Sequence, residues 1–222
     1  MAPSPLTRLL LLCFLPACLG TCVRAPQGPP TRVVGTLRYE QDGNVVSADV
    51  RVTPTDAGTP TLFGAPLLPL PDAGPGVYKM RREVNLTGPF DLTAPGPAGE
   101  ARSVQIDLSP PRIDSLPARL NKRRGVAFPT LTRFLTEDEN LILFLEPADR
   151  GQPRQILLQG PSSTLNFTLP RRALADVAPG AYSAYLILQQ LQRDSTAHLD
   201  VSFQTEYYTT ARPVVVTDEA PR

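Results

Sequence analysis

The chain's one histidine, His198, stands two residues before Asp200, and on an extended strand that spacing puts both side chains on one face. A carboxylate so placed can orient an imidazole for proton transfer. A triad also needs a nucleophile, and no Gly-x-Ser-x-Gly elbow or comparable context accompanies the pair. The alternation of Leu199, Val201 and Phe203 assigns His198 and Asp200 instead to the polar face of a half-buried strand. Zinc-type coordination would need partners, and the chain offers no second histidine and no cysteine after Cys22. Glu137, Asp138, Glu139 and Asn140 carry ligand oxygens without the spacing of a dedicated calcium loop, and read as a polar turn. Gly74-Pro75-Gly76 is turn chemistry rather than a phosphate cradle. Tyr207 and Tyr208, as neighbours on a strand, face opposite ways and make no common stacking platform for a sugar. No pair of carboxylates stands out for glycoside hydrolysis. These residues predict no catalytic site, no bound metal and no cofactor.

Charge narrows the partners. Arg119, Lys122, Arg123 and Arg124 form a basic cluster that suits an anionic lipid or polysaccharide, and equally a solvated linker. A formal net charge of +1 argues against nucleic acid, whose phosphates call for a concentrated positive field.

The cysteines carry the remaining chemistry. All three, Cys13, Cys18 and Cys22, lie near the N-terminus. Arg8 and the amino terminus precede the apolar run Leu9 to Leu15, which has the length of a signal h-region and is too short to span a bilayer as a helix. Residues 1–21 therefore read as a signal peptide, which places the mature chain outside the cytoplasm. Leu15-Pro16-Ala17-Cys18 resembles the lipobox of bacterial lipoproteins, with Pro16 departing from the usual pattern. Leu19-Gly20-Thr21-Cys22 is the rival, with Thr21 departing. Lipidation at Cys18, or alternatively Cys22, would hold the protein to a membrane of the cell envelope. Ordinary cleavage would leave it secreted or periplasmic. Residues 22–30, with Pro26, Gly28, Pro29 and Pro30, suit a flexible tether. No later apolar run is long enough for a membrane helix, so no transmembrane anchor is expected.

About 190 residues follow the leader, enough to bury a core without disulfides. Val33, Gly35, Leu37 and Tyr39 alternate with Val34, Thr36, Arg38 and Glu40. A turn at Gln41-Asp42-Gly43-Asn44 follows, then Val46, Ala48, Val50 and Val52 share a second apolar face. That pattern is a hairpin with one buried side. Further strands are expected around Gly76–Met80, Phe90–Thr93, Val104–Leu108, Ile156–Leu158, Leu165–Leu169 and Val214–Val216. Leu141 to Leu145 is continuous and predicts a strand buried on both faces. Tyr182–Leu188 with Leu199–Phe203 predicts a second hairpin, and Arg171–Val177 a lone helical turn. Pro75-Gly76-Val77-Tyr78 is echoed by Pro179-Gly180-Ala181-Tyr182, each opening a strand.

Residues 54–75 interrupt this rhythm with six prolines, which exclude both a helix and a central strand. Yet Leu62, Phe63, Leu67, Leu68 and Leu70 lie within them. Those side chains either cap an open end of the β-sandwich or form a preorganised contact for a partner. Pro110-Pro111 breaks the pattern again, and the chain divides there into expected domains 31–111 and 112–218.

The run from Gly35 to Val52, with Gly88-Pro89-Phe90-Asp91-Leu92 and Val104-Gln105-Ile106-Asp107-Leu108, resembles the carboxypeptidase regulatory-like, or transthyretin-like, β-sandwich family. The second half is loosely similar to immunoglobulin-like modules of bacterial surface proteins. The resemblances imply an all-β chain of two sandwich domains, acting as a spacer, adhesion or assembly module rather than an enzyme. The expected function is thus a non-catalytic, exported binding or structural module, lipid-anchored in the envelope. Its alternatives are an accessory subunit of an envelope complex and a secreted hydrolase with an unrecognised carboxylate site.

Overall fold

The structure, a computed structural model, describes residues 30–86, 88–96, 101–108, 116–124, 126–128, 133–149, 151–160, 167–196 and 198–219. The protein is an all-β sandwich. The first hairpin joins β1 (Thr31–Glu40) to β2 (Val45–Thr53), with Glu40 opposite Val45. Asn44 takes the left-handed conformation at its turn, and its Oδ1 accepts the Tyr39 hydroxyl at 2.7 Å. The alternation does what period-two patterning requires: Val33, Leu37, Tyr39, Val46, Ala48, Val50 and Val52 are all buried.

The proline-rich stretch is not a featureless loop. It contains β3 (Thr61–Leu62), β4 (Ala65–Pro66) and β5 (Leu68–Pro69). A two-residue turn, Phe63-Gly64, joins β3 to β4, and both residues have positive φ, as tight hairpins demand. Then follow β6 (Val77–Glu83), β7 (Phe90–Pro95) and β8 (Ala101–Ile106). β3 pairs with β7 in a four-stranded sheet ordered β4-β3-β7-β8, whereas β5 pairs with β6 in the main sheet. The stretch therefore crosses from one layer to the other and closes the edge of the sandwich. Pro66 and Pro69 sit in the short edge strands β4 and β5, which tolerate a missing donor.

The later strands are β9 (Arg119–Asn121), β10 (Val126–Phe128), β11 (Glu139–Pro147), β12 (Arg154–Gln159), β13 (Phe167–Leu169), β14 (Gly180–Ser195), β15 (Leu199–Tyr208) and β16 (Arg212–Thr217). Arg171–Leu174 forms the single helical turn expected there, of the 3-10 type. The echoed tyrosines behave alike. Tyr78 and Tyr182 are both buried near the start of their strands, and their hydroxyls donate to the carbonyls of Gly58 and Ala178, at 3.1 and 2.8 Å.

One ten-stranded sheet runs through the molecule in the order β12-β11-β14-β15-β1-β2-β6-β5, with β16 on β14 and β9 on β16. Its centre is the parallel pairing of β15 with β1, from Thr31 opposite Leu199 to Glu40 opposite Tyr208. Two cores lie against it. The first holds the inner face of β1 and β2, Leu62 and Leu67, Phe90 and Leu92, Val104 and Ile106, and also Leu199, Val201 and Phe203. The second gathers Leu141, Leu143, Leu145, Leu169, Leu174, Leu186, Val214 and Val216 among others. The cores thus do not part at one point in the chain, because β15 lies beyond residue 112 and fills the first of them. Pro110 and Pro111 lie outside the described residues.

Leu141 to Leu145 differs from expectation. Leu141, Leu143 and Leu145 are fully buried, but Ile142 and Phe144 are only half-buried, so β11 turns a single side to the core.

Candidate functional site

The two cores occupy one side of the main sheet, and the other side carries the groups most able to recognise something. On β15 the residues alternating with Val201, Phe203 and Thr205 are Gln204, Glu206 and Tyr208. The parallel register places Arg38 of β1 opposite Glu206. Arg38 donates to Glu206 Oε2 from Nε at 3.3 Å and from Nη2 at 3.2 Å, and the Tyr208 hydroxyl donates to the same oxygen at 3.0 Å. Oε1 accepts Gln189 Nε2 at 3.1 Å and Gln204 Nε2 at 2.9 Å. Glu206 is only 7% exposed. A carboxylate that far from water persists because every acceptor site is filled, in part by a cation.

Arg38 also lies over the Tyr208 ring, 4.8 Å from its centroid, so the pair is held by face and by charge. Burial, together with the neighbouring Glu206, pushes the Tyr208 phenol well above its ordinary range. Burial works against the Arg38 guanidinium, but Tyr208, Glu206 and Glu40 outweigh it and raise its pKa further.

An aromatic row continues the cluster across two more strands. Phe144 of β11 stands opposite Tyr185 of β14, their rings stacked at 4.8 Å and 18°, and Tyr185 meets Tyr208 at 5.8 Å and 37°. The first spacing equals the distance between neighbouring strands, so these two rings stand side by side with their faces turned to one another. They present edges outward, which is not the flat platform a pyranose ring stacks on. Ile142 and Ile187, opposite each other, extend the apolar corner to Leu157 on β12, which is 64% exposed.

Other residues singled out by sequence have different fates. His198 and Asp200 share no hydrogen bond among the described residues. The His198 carbonyl accepts the Thr31 amide at 2.8 Å, and Asp200 makes an exposed ion pair with Arg32 at 3.7 Å. Glu137 and Asp138 are exposed as a polar turn should be, but Glu139 is a correction: it is fully buried at the start of β11. Arg133 holds both its oxygens, at 2.6 and 2.5 Å, and the Thr136 amide donates to it at 2.8 Å. Burial raises the Glu139 pKa, but Arg133 and Thr136 prevail and leave it below the ordinary value. In the basic cluster Arg123 pairs with Asp218 at 2.8 Å, on the surface.

The five apolar side chains of residues 54–75 do not form one surface. Leu62 and Leu67 are core residues, Phe63 stacks on Phe90 at 4.1 Å, and Leu70 is half-buried. Only Leu68, 69% exposed, offers substantial apolar area. The capping role drawn from the sequence accounts for Leu62 and Leu67, and a contact surface of all five does not stand. Cys18 and Cys22 lie outside the described residues.

Among the described residues no group of three or more His, Cys, Asp or Glu side chains is placed to hold a metal ion, and no helix is long and apolar enough to cross a membrane. No protein-family model and no curated protein matches the chain.

Sequence reasoning missed Arg38, Gln189 and Glu206. Glu206 continues the polar alternation of Asp200, Ser202 and Gln204, so no local signal in the sequence marks it as buried.

Proposed function

We propose that the chain is an exported, non-catalytic binding or structural module, held at an envelope membrane by a lipid on Cys18, or alternatively Cys22. It presents the open corner of its main sheet to a protein partner of the envelope or cell surface. The observation that carries this reading is the saturation of Glu206 by Arg38, Tyr208, Gln189 and Gln204. A general base needs a free lone pair within reach of substrate, and this carboxylate has none to offer. What the network does provide is rigidity. Side chains already locked in place lose little entropy on binding, so a fixed aromatic corner suits recognition better than turnover. The resemblance of the first half to carboxypeptidase regulatory-like sandwiches, and of the second to immunoglobulin-like surface modules, supports the same reading by analogy of fold. An accessory subunit of an envelope complex would use the same face.

Affinity recovery from envelope extract tests the contact. The double variant Phe144→Ala/Tyr185→Ala should lose a partner that the parent chain and the Leu68→Ser variant both retain, at unchanged secondary structure. Equal recovery by all three would remove the open corner from consideration. Intact mass of the mature chain tests the anchor: an acylated cysteine is expected, and an unmodified terminus at Thr21 would end the lipoprotein reading.

A further inference from the structure

The chain enters the fold at an unusual place. Thr31, the first residue of β1, is fully buried and already bonded to the His198 carbonyl, and β1 lies at the centre of the main sheet. It is flanked over its length by β15 on one side, in parallel, and by antiparallel β2 on the other, from Arg32 opposite Thr53 to Glu40 opposite Val45. We infer that β1 is the strand that carries mechanical force, which meets tension on the segment before Thr31 in shear against both neighbours.

The physical reason is the direction of the ladder. Inter-strand hydrogen bonds lie across the strands, so a pull along β1 strains all of them together, whereas a pull across the sheet opens them one after another from the end. Side chains add to the axial resistance. Val33, Leu37 and Tyr39 are packed in the first core, and Arg38 is tied to Glu206 of β15 near the far end of the strand. The pairing with β15 joins strands far apart in the chain, so tension on the N-terminal segment is carried directly into the later half of the protein. The source of that tension rests on the proposed membrane anchor, since a lipid-held tether would pull at Thr31. The mechanical response does not.

Single-molecule force measurement on the full chain tests the inference. Cys22 serves as the first handle once Cys13→Ser and Cys18→Ser remove the other thiols. The second handle is Thr210→Cys, exposed at the far pole, or Ser195→Cys, exposed at the pole where β1 begins. Pulling Cys22 against position 210 loads β1 along its axis, and pulling against 195 peels it from its first residue. Rupture force several-fold higher for 210 than for 195 is expected. Equal forces in the two geometries, or a lower one along the axis, overturn the inference. Because handles replace the lipid, neither result depends on acylation, which the mass of the mature chain reads separately.

Discussion

Phe203 and Gly35 face each other in the parallel pairing of β15 with β1, and the phenyl ring fills the space that a side chain at position 35 would need. A Cβ there would lie 2.9 Å from the ring and 2.6 Å from the backbone oxygen of Asp49. The glycine is required by close approach. The contact fastens a strand from late in the chain onto the first core, so it is also where the two halves become one body.

Gly35→Ala is therefore expected to destabilise the fold by overpacking, by about 1–3 kcal/mol, since the backbone of β2 cannot yield as a side chain would. Phe203→Ala should cost about 3–5 kcal/mol by opening a cavity at the same place. Urea unfolding of each variant measures both. A neutral Gly35→Ala would mean that β15 does not dock as described.

Residues 54–75 give a contrast within one segment. Leu67→Ala should lower stability by about 2–5 kcal/mol because a fully buried side chain is lost. Leu68→Ser, on the exposed edge, should fall within about 0.5 kcal/mol of the parent. Thermal melts of the two proteins, side by side, decide whether this stretch closes the sandwich.

The Arg133–Glu139 clasp makes stability depend on acid. Its folded-state pKa lies below the ordinary value, so the unfolded chain takes up the proton first as pH falls. The contribution is fully present above the unfolded carboxylate range, about pH 4.3, and is lost as pH drops through the folded value. Glu139→Gln should flatten the acid limb of a urea-midpoint profile below about pH 5. Arg133→Ala should cost toward the lower part of about 3–5 kcal/mol, since it strands a buried charge beside a partly hydrated site.

At the alkaline end the sign reverses for a different group. Tyr208 has a raised folded-state pKa, so its contribution is complete below about pH 10, where unfolded tyrosine begins to ionise, and fades as pH rises toward the folded value. Burial raises Tyr39, Tyr185 and Tyr207 as well, so Tyr208→Phe should reduce the slope of stability against pH between about 9 and 11 without abolishing it. An unchanged slope would show that Tyr208 is not held against Glu206.

Arg38→Ala should destabilise the chain by about 1–3 kcal/mol, because Glu206 keeps its burial and loses its cation. The exposed position of the arginine moderates the effect. A double-mutant cycle of Arg38→Met with Glu206→Gln isolates the pair, and a coupling near zero would leave the open face without its central tie.

Local chemistry in the sequence was enough for the long strands, though not for the short β3, β4, β5, β9 and β10. Strict alternation made β1, β2 and β15 one-sided strands, because a strand's side chains must point to opposite faces, and the Asp42-Gly43-Asn44 turn could only reverse the chain. The prolines of residues 54–75 excluded an α-helix for equally local reasons and left only the 3-10 turn Pro71–Ala73. The sequence by itself could not say that β15 lies parallel to β1, since strand pairing at a separation of 168 residues, as between Arg38 and Glu206, leaves no periodic trace. Nor could it distinguish Leu67, which is buried, from Leu68, which is not, because neighbours in an irregular stretch obey no fixed period. Glu139 read as solvated for the same reason: its burial depends on Arg133 folding back across the turn. The tertiary structure alone decided which polar residues meet, because saturating a buried carboxylate requires donors from β1, β14 and β15 to converge at one point in space.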